Sequence, residues 1–218
     1  VERPPVLSRS TLPNAITVAR IVLAAVVFVL LFMPTFAARL LAFVLFLIAA
    51  FSDLWDGHLA RKYGWITDFG KLFDPIADKL LLVATFLPFY LLSRSASEAL
   101  QLPLMGELPL WILLVVLGRE ALITLIRSLA ARKGVVIPAG RAGKLKAVFQ
   151  NIFSGTTIFW YALRTAAASR GWSGGFWSGW QVVHSAVLLV SLTIAVLLTL
   201  YSMFVYLWEW RRVVRSVL

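Results

Sequence analysis

The chain has 218 residues, of which 61% are hydrophobic and only 14% charged. A water-soluble domain carries roughly a quarter charged residues, so an ordinary soluble fold is excluded, and so is an intrinsically disordered chain. The formal net charge is +11 and there is no cysteine. The missing thiols exclude disulfides, zinc–thiolate sites and cysteine nucleophiles. In a chain this apolar the positive charge points to a bias between membrane-flanking loops, not to nucleic acid.

Apolar runs of membrane-spanning length recur along the whole sequence. They predict helices over residues 14–33, 37–61, 71–93, 109–131, 145–168 and 179–208. Pro34, the region of Gly64, Pro103 with Pro109, Gly134 with Pro138, and the stretch 171–175 separate them. Lipid cannot satisfy an open sheet edge. The expected fold is therefore an all-α polytopic membrane protein with six transmembrane helices. It reads as one domain over 1–218: an N-terminal surface segment (1–13), a six-helix bundle (14–208) and a basic tail (209–218). The last span exceeds one bilayer thickness and should tilt or emerge from it. No small-residue cleavage site follows the first span, so a cleaved signal peptide is not expected.

Six spans put both termini on one side. Of the 21 lysines and arginines, Arg39, Arg94, Arg164 and Arg170 fall on the opposite side and Arg119 inside the fourth span; the other sixteen lie at or near the side of the termini. That asymmetry predicts cytoplasmic termini. Tryptophans 172, 177 and 180, and 208 and 210, suit interfacial belts at the two ends of the last span.

Acidic residues number only ten, and five of them lie between Asp53 and Asp78. On the second helix Asp53, Asp56, Gly57 and Ala60 share one face at i, i+3, i+4 and i+7; on the third, Gly70, Asp74 and Asp78 share one at i, i+4 and i+8. A turn on the side of the termini joins the two helices, so four carboxylates can converge just below that surface. Four such groups repel one another, and each costs about 2.5–3.5 kcal/mol at mid-membrane, less near the interface. The cluster needs cations, and hard oxygen ligands select magnesium, manganese or calcium. Two divalent ions would balance the charge and could clamp a phosphoryl group during transfer. Gly57, Ala60 and Gly70 leave room for a ligand or for close helix packing. Asp68 lies in the turn, off the stripe, and reads as a surface residue or helix cap.

The stretch from Asp53 to Asp78 reads D-x2-D-G-x2-A-R-x8-G-x3-D-x3-D without a gap, with Asp53, Asp56, Gly57, Ala60, Arg61, Gly70, Asp74 and Asp78 all in place. In this it resembles the CDP-alcohol phosphotransferase family. The Leu12-Pro13-Asn14 entry to the first helix is similar too. So are Gly118-Arg119-Glu120, Arg127, and the Lys133–Pro138 stretch leading to Gly143-Lys144-Leu145-Lys146, which resemble the phosphatidylglycerophosphate synthase branch. The resemblance covers roughly residues 10–160 and leaves the last span with little signal. It implies that CDP-diacylglycerol gives its phosphatidyl group to sn-glycerol 3-phosphate, yielding phosphatidylglycerophosphate and CMP. It also implies a homodimer in the cytoplasmic (inner) membrane with its active site facing the cytoplasm.

The resemblance further implies that Asp53, Asp56, Asp74 and Asp78 hold two divalent cations, Mg2+ or Mn2+, with Asp78 also the candidate general base. A carboxylate shared with a metal is a weak base. Gly57, Ala60, Arg61 and Gly70 would accommodate the donor nucleotide, although Arg61 could instead snorkel to lipid headgroups. The acceptor is a dianion and needs its own cations. Arg119, Arg127, Arg141, Lys144 and Lys146 are the candidates, and Arg119, near the middle of the fourth span, is the sharpest. Its structural alternative is an ion pair with Glu120, although successive helix residues do not face one another. Glu120, Thr124 and Arg127 share a face, as do Lys146, Gln150, Ser154 and Thr157 on the fifth helix. For Lys144, Lys146 and Arg141, simple positive-inside topology is the competing account. Asn14, Thr17 and Arg20 are read as supporting the donor site or capping the helix. His58 and His184 read as structural. Cardiolipin synthesis or another acceptor within the family is the alternative, and a cation-coupled transporter the different class, although transporter acids usually sit at the midplane of repeated halves.

Overall fold

A computed structural model describes residues 7–63, 68–95, 100–135 and 141–211; within them the side chains of 7–13, 53–75, 78, 141 and 142 lie outside the description. Six helices are present among the described residues: α1 (Leu7–Phe32), α2 (Phe36–Tyr63), α3 (Asp68–Ser93), α4 (Leu110–Arg132), α5 (Arg141–Arg170) and α6 (Gly175–Glu209). Each contains one of the spans read from hydropathy, apart from a residue at the edges of α1 and α4. The main difference is α1, which begins at Leu7, inside the stretch read as a surface segment. Pro13, read as part of that segment, lies within α1 and does not end it.

The punctuation has local causes. Gly134 closes α4 at φ 77°. Val135 N–H reaches back to the Ala130 carbonyl and Gly134 N–H to that of Ala131, both at 3.0 Å. That paired bonding satisfies the last carbonyls and requires a left-handed residue, which glycine adopts without a Cβ penalty. Gly171 (φ 63°) ends α5 with the same long return bond, from Trp172 N–H to the Ala167 carbonyl at 3.1 Å. Between α3 and α4, Ser93 Oγ accepts from the Leu108 N–H at 2.9 Å, and Trp160 Nε1 donates to the Gln101 carbonyl at 3.2 Å. The far end of the bundle is tied together by these bonds.

The helices close into a ring. α1 packs on α2 and α3, α2 on α5, α5 on α6, α6 on α4, and α4 on α3. The ring is held by two kinds of residue. Small side chains, among them Ala24, Ala42, Ala49, Ala84, Ala162 and Ala195, are buried at helix contacts, where they let backbones approach. Gly155 extends this: a Cβ there would meet Phe46 Cε1 at 3.3 Å. Aromatic residues fill the centre. Phe153 lies 5.3 Å from Phe86 and 5.9 Å from Phe89 between ring centroids, and Phe89 is 5.9 Å from Tyr161. Such offset and edge contacts add to the dispersion gained by burial. Outward positions are apolar as well, as at Val22, Leu41, Leu114, Leu125, Val182 and Leu197. The stretch Asn14–Phe32 and all of α6 are long and apolar enough to cross a membrane.

Candidate active site

The beginnings of α1, α3 and α5 and the ends of α2, α4 and α6 share one end of the ring, and there a cavity of about 720 Å³ opens with all six helices in its walls. That volume suits a small-molecule ligand. Among the described residues its cations are Arg20, Lys79, Arg119, Arg127, Lys144 and Lys146 and its carboxylates Glu120 and Glu209; Phe46, Ala50, Leu81 and Leu82 give it an apolar side. Positive charge gathered in a recess of low dielectric focuses potential on an anionic ligand.

Position along each helix sets depth. Arg119 is two turns before Arg127, so it lies roughly 12 Å further into the bundle. At that inner level the charges are organised around Glu120. Arg119 NH1 donates to Glu120 Oε1 at 2.9 Å, and Lys146 Nζ donates to the same oxygen. The second Arg119 nitrogen, NH2, donates to Ser202 Oγ on α6 at 3.2 Å. The neighbouring pair is therefore formed despite the angular separation of successive helix positions, because two long side chains can reach across it. Arg119 is tied to its own helix and to α6, and Lys146 ties α5 to α4. Thr124, one turn on from Glu120, spends its hydroxyl on the Glu120 carbonyl at 2.7 Å.

The polar stripe on α5 is buried along its whole length. Lys146 and Gln150 line the cavity, and Gln150 Nε2 donates to Thr199 Oγ1 at 3.3 Å. Deeper, Ser154 and Thr85 hydroxyls share a bond of 3.2 Å, and Thr157 bonds back to the Phe153 carbonyl at 2.8 Å. The stripe is thus divided between cavity lining and helix contact.

Of the residues expected to hold the acceptor, Arg119, Arg127, Lys144 and Lys146 all line this cavity. Lys144 is exposed at the mouth. The Arg141 side chain lies outside the described residues. Of the supporting group, Arg20 is buried and lines the cavity; Thr17 is buried and Asn14 half-buried, and neither forms part of the wall. Side chains of Asp53, Asp56, Gly57, Ala60, Arg61, Gly70, Asp74 and Asp78 also lie outside the description, as do those of His58 and Asp68. Their helices are described, and both lead into the cavity wall. On α2, Phe46 and Ala50 line it, and positions 53 and 57 continue the same face at i+3 and i+7 from Ala50. On α3, Leu82 lines it, and positions 78 and 74 precede it at one and two turns. By position along the backbone, residues 53, 74 and 78 therefore fall on helix faces that continue into the cavity wall.

His184 fulfils the structural expectation: Nε2 bonds the Thr156 carbonyl at 2.9 Å, and the ring stacks on Trp160 at 5.3 Å between centroids. Two contributions were missed in the sequence. Lys79 follows the last signature aspartate and lines the cavity, and α6 supplies Tyr201, Ser202, Val205, Tyr206 and Glu209. A signal for α6 existed, since Thr199, Ser202, Tyr206 and Glu209 recur at helical spacing in an otherwise apolar run.

A helical bundle whose recess at one end is lined by six cations among the described residues is suited to an anionic ligand. Residues 10–208 match the CDP-alcohol phosphatidyltransferase family, and the chain belongs to that family. With two helices of membrane-crossing length and apolarity, it is a membrane protein. Family membership removes the transporter reading. The chain is 38% identical over 139 residues to a Rickettsia typhi protein named CDP-diacylglycerol–glycerol-3-phosphate 3-phosphatidyltransferase, spanning 64% of this chain and 71% of the relative. A Rickettsia prowazekii protein of the same name is 38% identical, over 64% and 70% of the two chains. A Bacillus subtilis protein of that name is 34% identical over 148 residues, 62% of this chain and 69% of the relative.

Proposed function

We propose that the chain transfers the phosphatidyl group of CDP-diacylglycerol to sn-glycerol 3-phosphate, giving phosphatidylglycerophosphate and CMP. The observation that carries this choice of acceptor is the convergence of Arg119, Arg127, Lys144 and Lys146 on one cavity beside the signature helices. An acceptor that brings its own phosphate needs such cations, whereas serine or another small alcohol without phosphate does not. The names of the relatives support the same reaction.

Asp53, Asp56, Asp74 and Asp78 would hold two divalent cations, Mg2+ or Mn2+, which supply charge neutralisation at the donor pyrophosphate and at the departing CMP. Gly57, Ala60 and Gly70 make room for the nucleotide, and Arg61 pairs with its phosphates. Arg119 and Lys146 hold the acceptor phosphate, with Arg127, Lys144 and Arg141 towards the mouth, and Arg20 supports the recess from α1 beside Asn14 and Thr17. The acceptor hydroxyl oxygen bonds to the phosphatidyl phosphorus, the bond from that phosphorus to the CMP oxygen breaks, and the hydroxyl proton passes to Asp78. Fixed cations at the anionic substrate lower the barrier because they need no reorganisation during the step.

The six helices would all span the cytoplasmic membrane, with termini and cavity facing the cytoplasm, as the distribution of lysine and arginine favours. A homodimer is the assembly the family resemblance implies. The test is CMP release by purified, metal-loaded protein with CDP-diacylglycerol. Release with glycerol 3-phosphate, and not with phosphatidylglycerol, serine or inositol phosphate, is the expected result. Release only with phosphatidylglycerol would assign cardiolipin synthesis instead.

A further inference from the structure

Asn151 on α5 lines the cavity and is half-buried, so its side chain is accessible from the recess. Its amide has no hydrogen-bond partner among the described residues. Four other uncharged polar residues of the wall are engaged. Gln150 bonds Thr199 at 3.3 Å, Ser202 accepts from Arg119 at 3.2 Å, Thr124 bonds the Glu120 carbonyl at 2.7 Å, and Thr85 shares a bond with Ser154 at 3.2 Å. A carboxamide offers both donors and an acceptor, and a polar group inside a span costs free energy unless it finds partners. The next turn fixes which way Asn151 faces. Gly155, at i+4, packs on Phe46 of α2, and Asn151 shares that face with Gly155, Ala147 and Gly143. Ala147 and Gly143 line the cavity too. α2 and α5 run in opposite directions, so one turn back from Gly155 is about level with one turn on from Phe46, at Ala50. Asn151 therefore stands on the α2 side of α5, roughly 7 Å deeper than Lys146.

We infer that the Asn151 carboxamide hydrogen-bonds the secondary hydroxyl of the acceptor's glycerol, which makes Asn151 a specificity-determining residue; this rests on the reaction proposed above. Glycerol 3-phosphate presents two kinds of group to the site. Its phosphate takes cations, which Arg119 and Lys146 supply. Of its two hydroxyls, the primary one attacks phosphorus, which leaves the secondary one for a neutral side chain to hold. With the phosphate on the cations of α4 and α5, and the attacking hydroxyl directed towards the signature face of α2, the carbon chain crosses the α2 side of α5. That is where Asn151 stands. An amide adds orientation without adding charge. A site that hydrogen-bonds a substrate hydroxyl rejects the analogue lacking it, because its own polar group is then left without a partner.

The experiment compares glycerol 3-phosphate with 3-hydroxypropyl phosphate, which keeps the phosphate and the primary hydroxyl and lacks only the secondary one. CMP release by metal-loaded wild type and Asn151→Ala gives kcat/KM for each pair. Asn151→Leu, close in volume to asparagine, repeats the comparison without opening a cavity. Wild type is expected to prefer glycerol 3-phosphate by about tenfold. The variants are expected to lose about tenfold with glycerol 3-phosphate and to treat the two acceptors alike within about twofold, because side chain and hydroxyl are two ends of one interaction. Their melting temperatures in detergent should equal or exceed that of wild type, since the amide holds nothing in the fold. Variants that keep the wild-type preference overturn the inference, whatever their overall loss, and so does a wild type that does not distinguish the two acceptors. If wild type releases no CMP with glycerol 3-phosphate, the proposed reaction fails and the inference with it. A wild type active with glycerol 3-phosphate keeps the reaction whichever way the variants fall.

Discussion

Lys146 on α5 donates to the Glu120 carboxylate on α4, and both are largely withdrawn from solvent, with side-chain exposures of 5% and 20%. The same carboxylate oxygen receives Arg119 at 2.9 Å. One acid therefore holds two cations in the recess before any substrate arrives. Removing one member of a buried pair strands the other, at about 3–5 kcal/mol, whereas removing both members costs far less. Glu120→Ala strands two cations and Lys146→Met leaves Glu120 with Arg119. Glu120→Ala is therefore expected to lower stability more than Lys146→Met, and Glu120→Gln combined with Lys146→Met should be less damaging than Glu120→Ala. Thermal unfolding in detergent gives the order; equal losses from the two single variants would show that the shared carboxylate does not organise the cluster.

Arg119 donates to Glu120 on its own helix and to Ser202 on α6, so its guanidinium is held in place at the inner end of the cavity. Arg119→Ala is expected to raise the glycerol 3-phosphate KM by about 10- to 100-fold, the range for one charged hydrogen bond, with a much smaller effect on the donor. Arg119→Lys should recover little, since an ammonium lacks the planar fork that serves two partners at once. Kinetics with each substrate varied in turn measure this. An acceptor KM equal to wild type would remove Arg119 from the site.

For the acidic signature, the expectation is loss of chemistry without loss of fold. Asp56→Asn or Asp74→Asn should cut CMP release by about a thousandfold or more, because each removes one charge from a ligand set whose metals contribute several kcal/mol of transition-state stabilisation. Chelation should stop the wild type, and magnesium or manganese should restore it. Size-exclusion elution should stay that of wild type. A variant that keeps most of its turnover would exclude the two-metal arrangement.

How much of this was legible in the sequence depends on which physical signal each part carries. Helix positions were legible because apolar length and glycine–proline punctuation are local, and Gly134 and Gly171 close α4 and α5 where the sequence breaks. Four of the cavity's six described cations, Arg119, Arg127, Lys144 and Lys146, were read as acceptor ligands because charge in or beside an apolar helix is costly and conspicuous. Partners across helices were not legible. Nothing local says that Lys146 meets Glu120 on α4, or that Ser154 meets Thr85 on α3, since both contacts reach across the ring, in which α5 has α2 and α6 as its neighbours. Nor was α6 read as part of the site, because Ser202, Tyr206 and Glu209 are sparse in a segment whose mean composition reads simply as membrane-spanning. The residues that mark a site by charge could be found one helix at a time, and those that complete it by geometry could not.

The absence of cysteine makes the orientation directly measurable, since every introduced thiol is the only one in the protein. Phe176, at the start of α6, is 89% exposed, and Arg132, the last residue of α4, is exposed too. Only α5 and its flanking connections separate them in the chain, so if α5 spans the bilayer they lie on opposite sides. With sixteen of the basic residues assigned to the side of Arg132, that side should be cytoplasmic. Phe176→Cys is therefore expected to react with a membrane-impermeant maleimide on intact cells. Arg132→Cys should react only after the membrane is opened. The reverse pattern would turn the bundle over and place the cavity, which lies at the Arg132 end, away from cytoplasmic glycerol 3-phosphate. Labelling of both sites from outside would mean that α5 does not cross, and the six-span arrangement would fail with it.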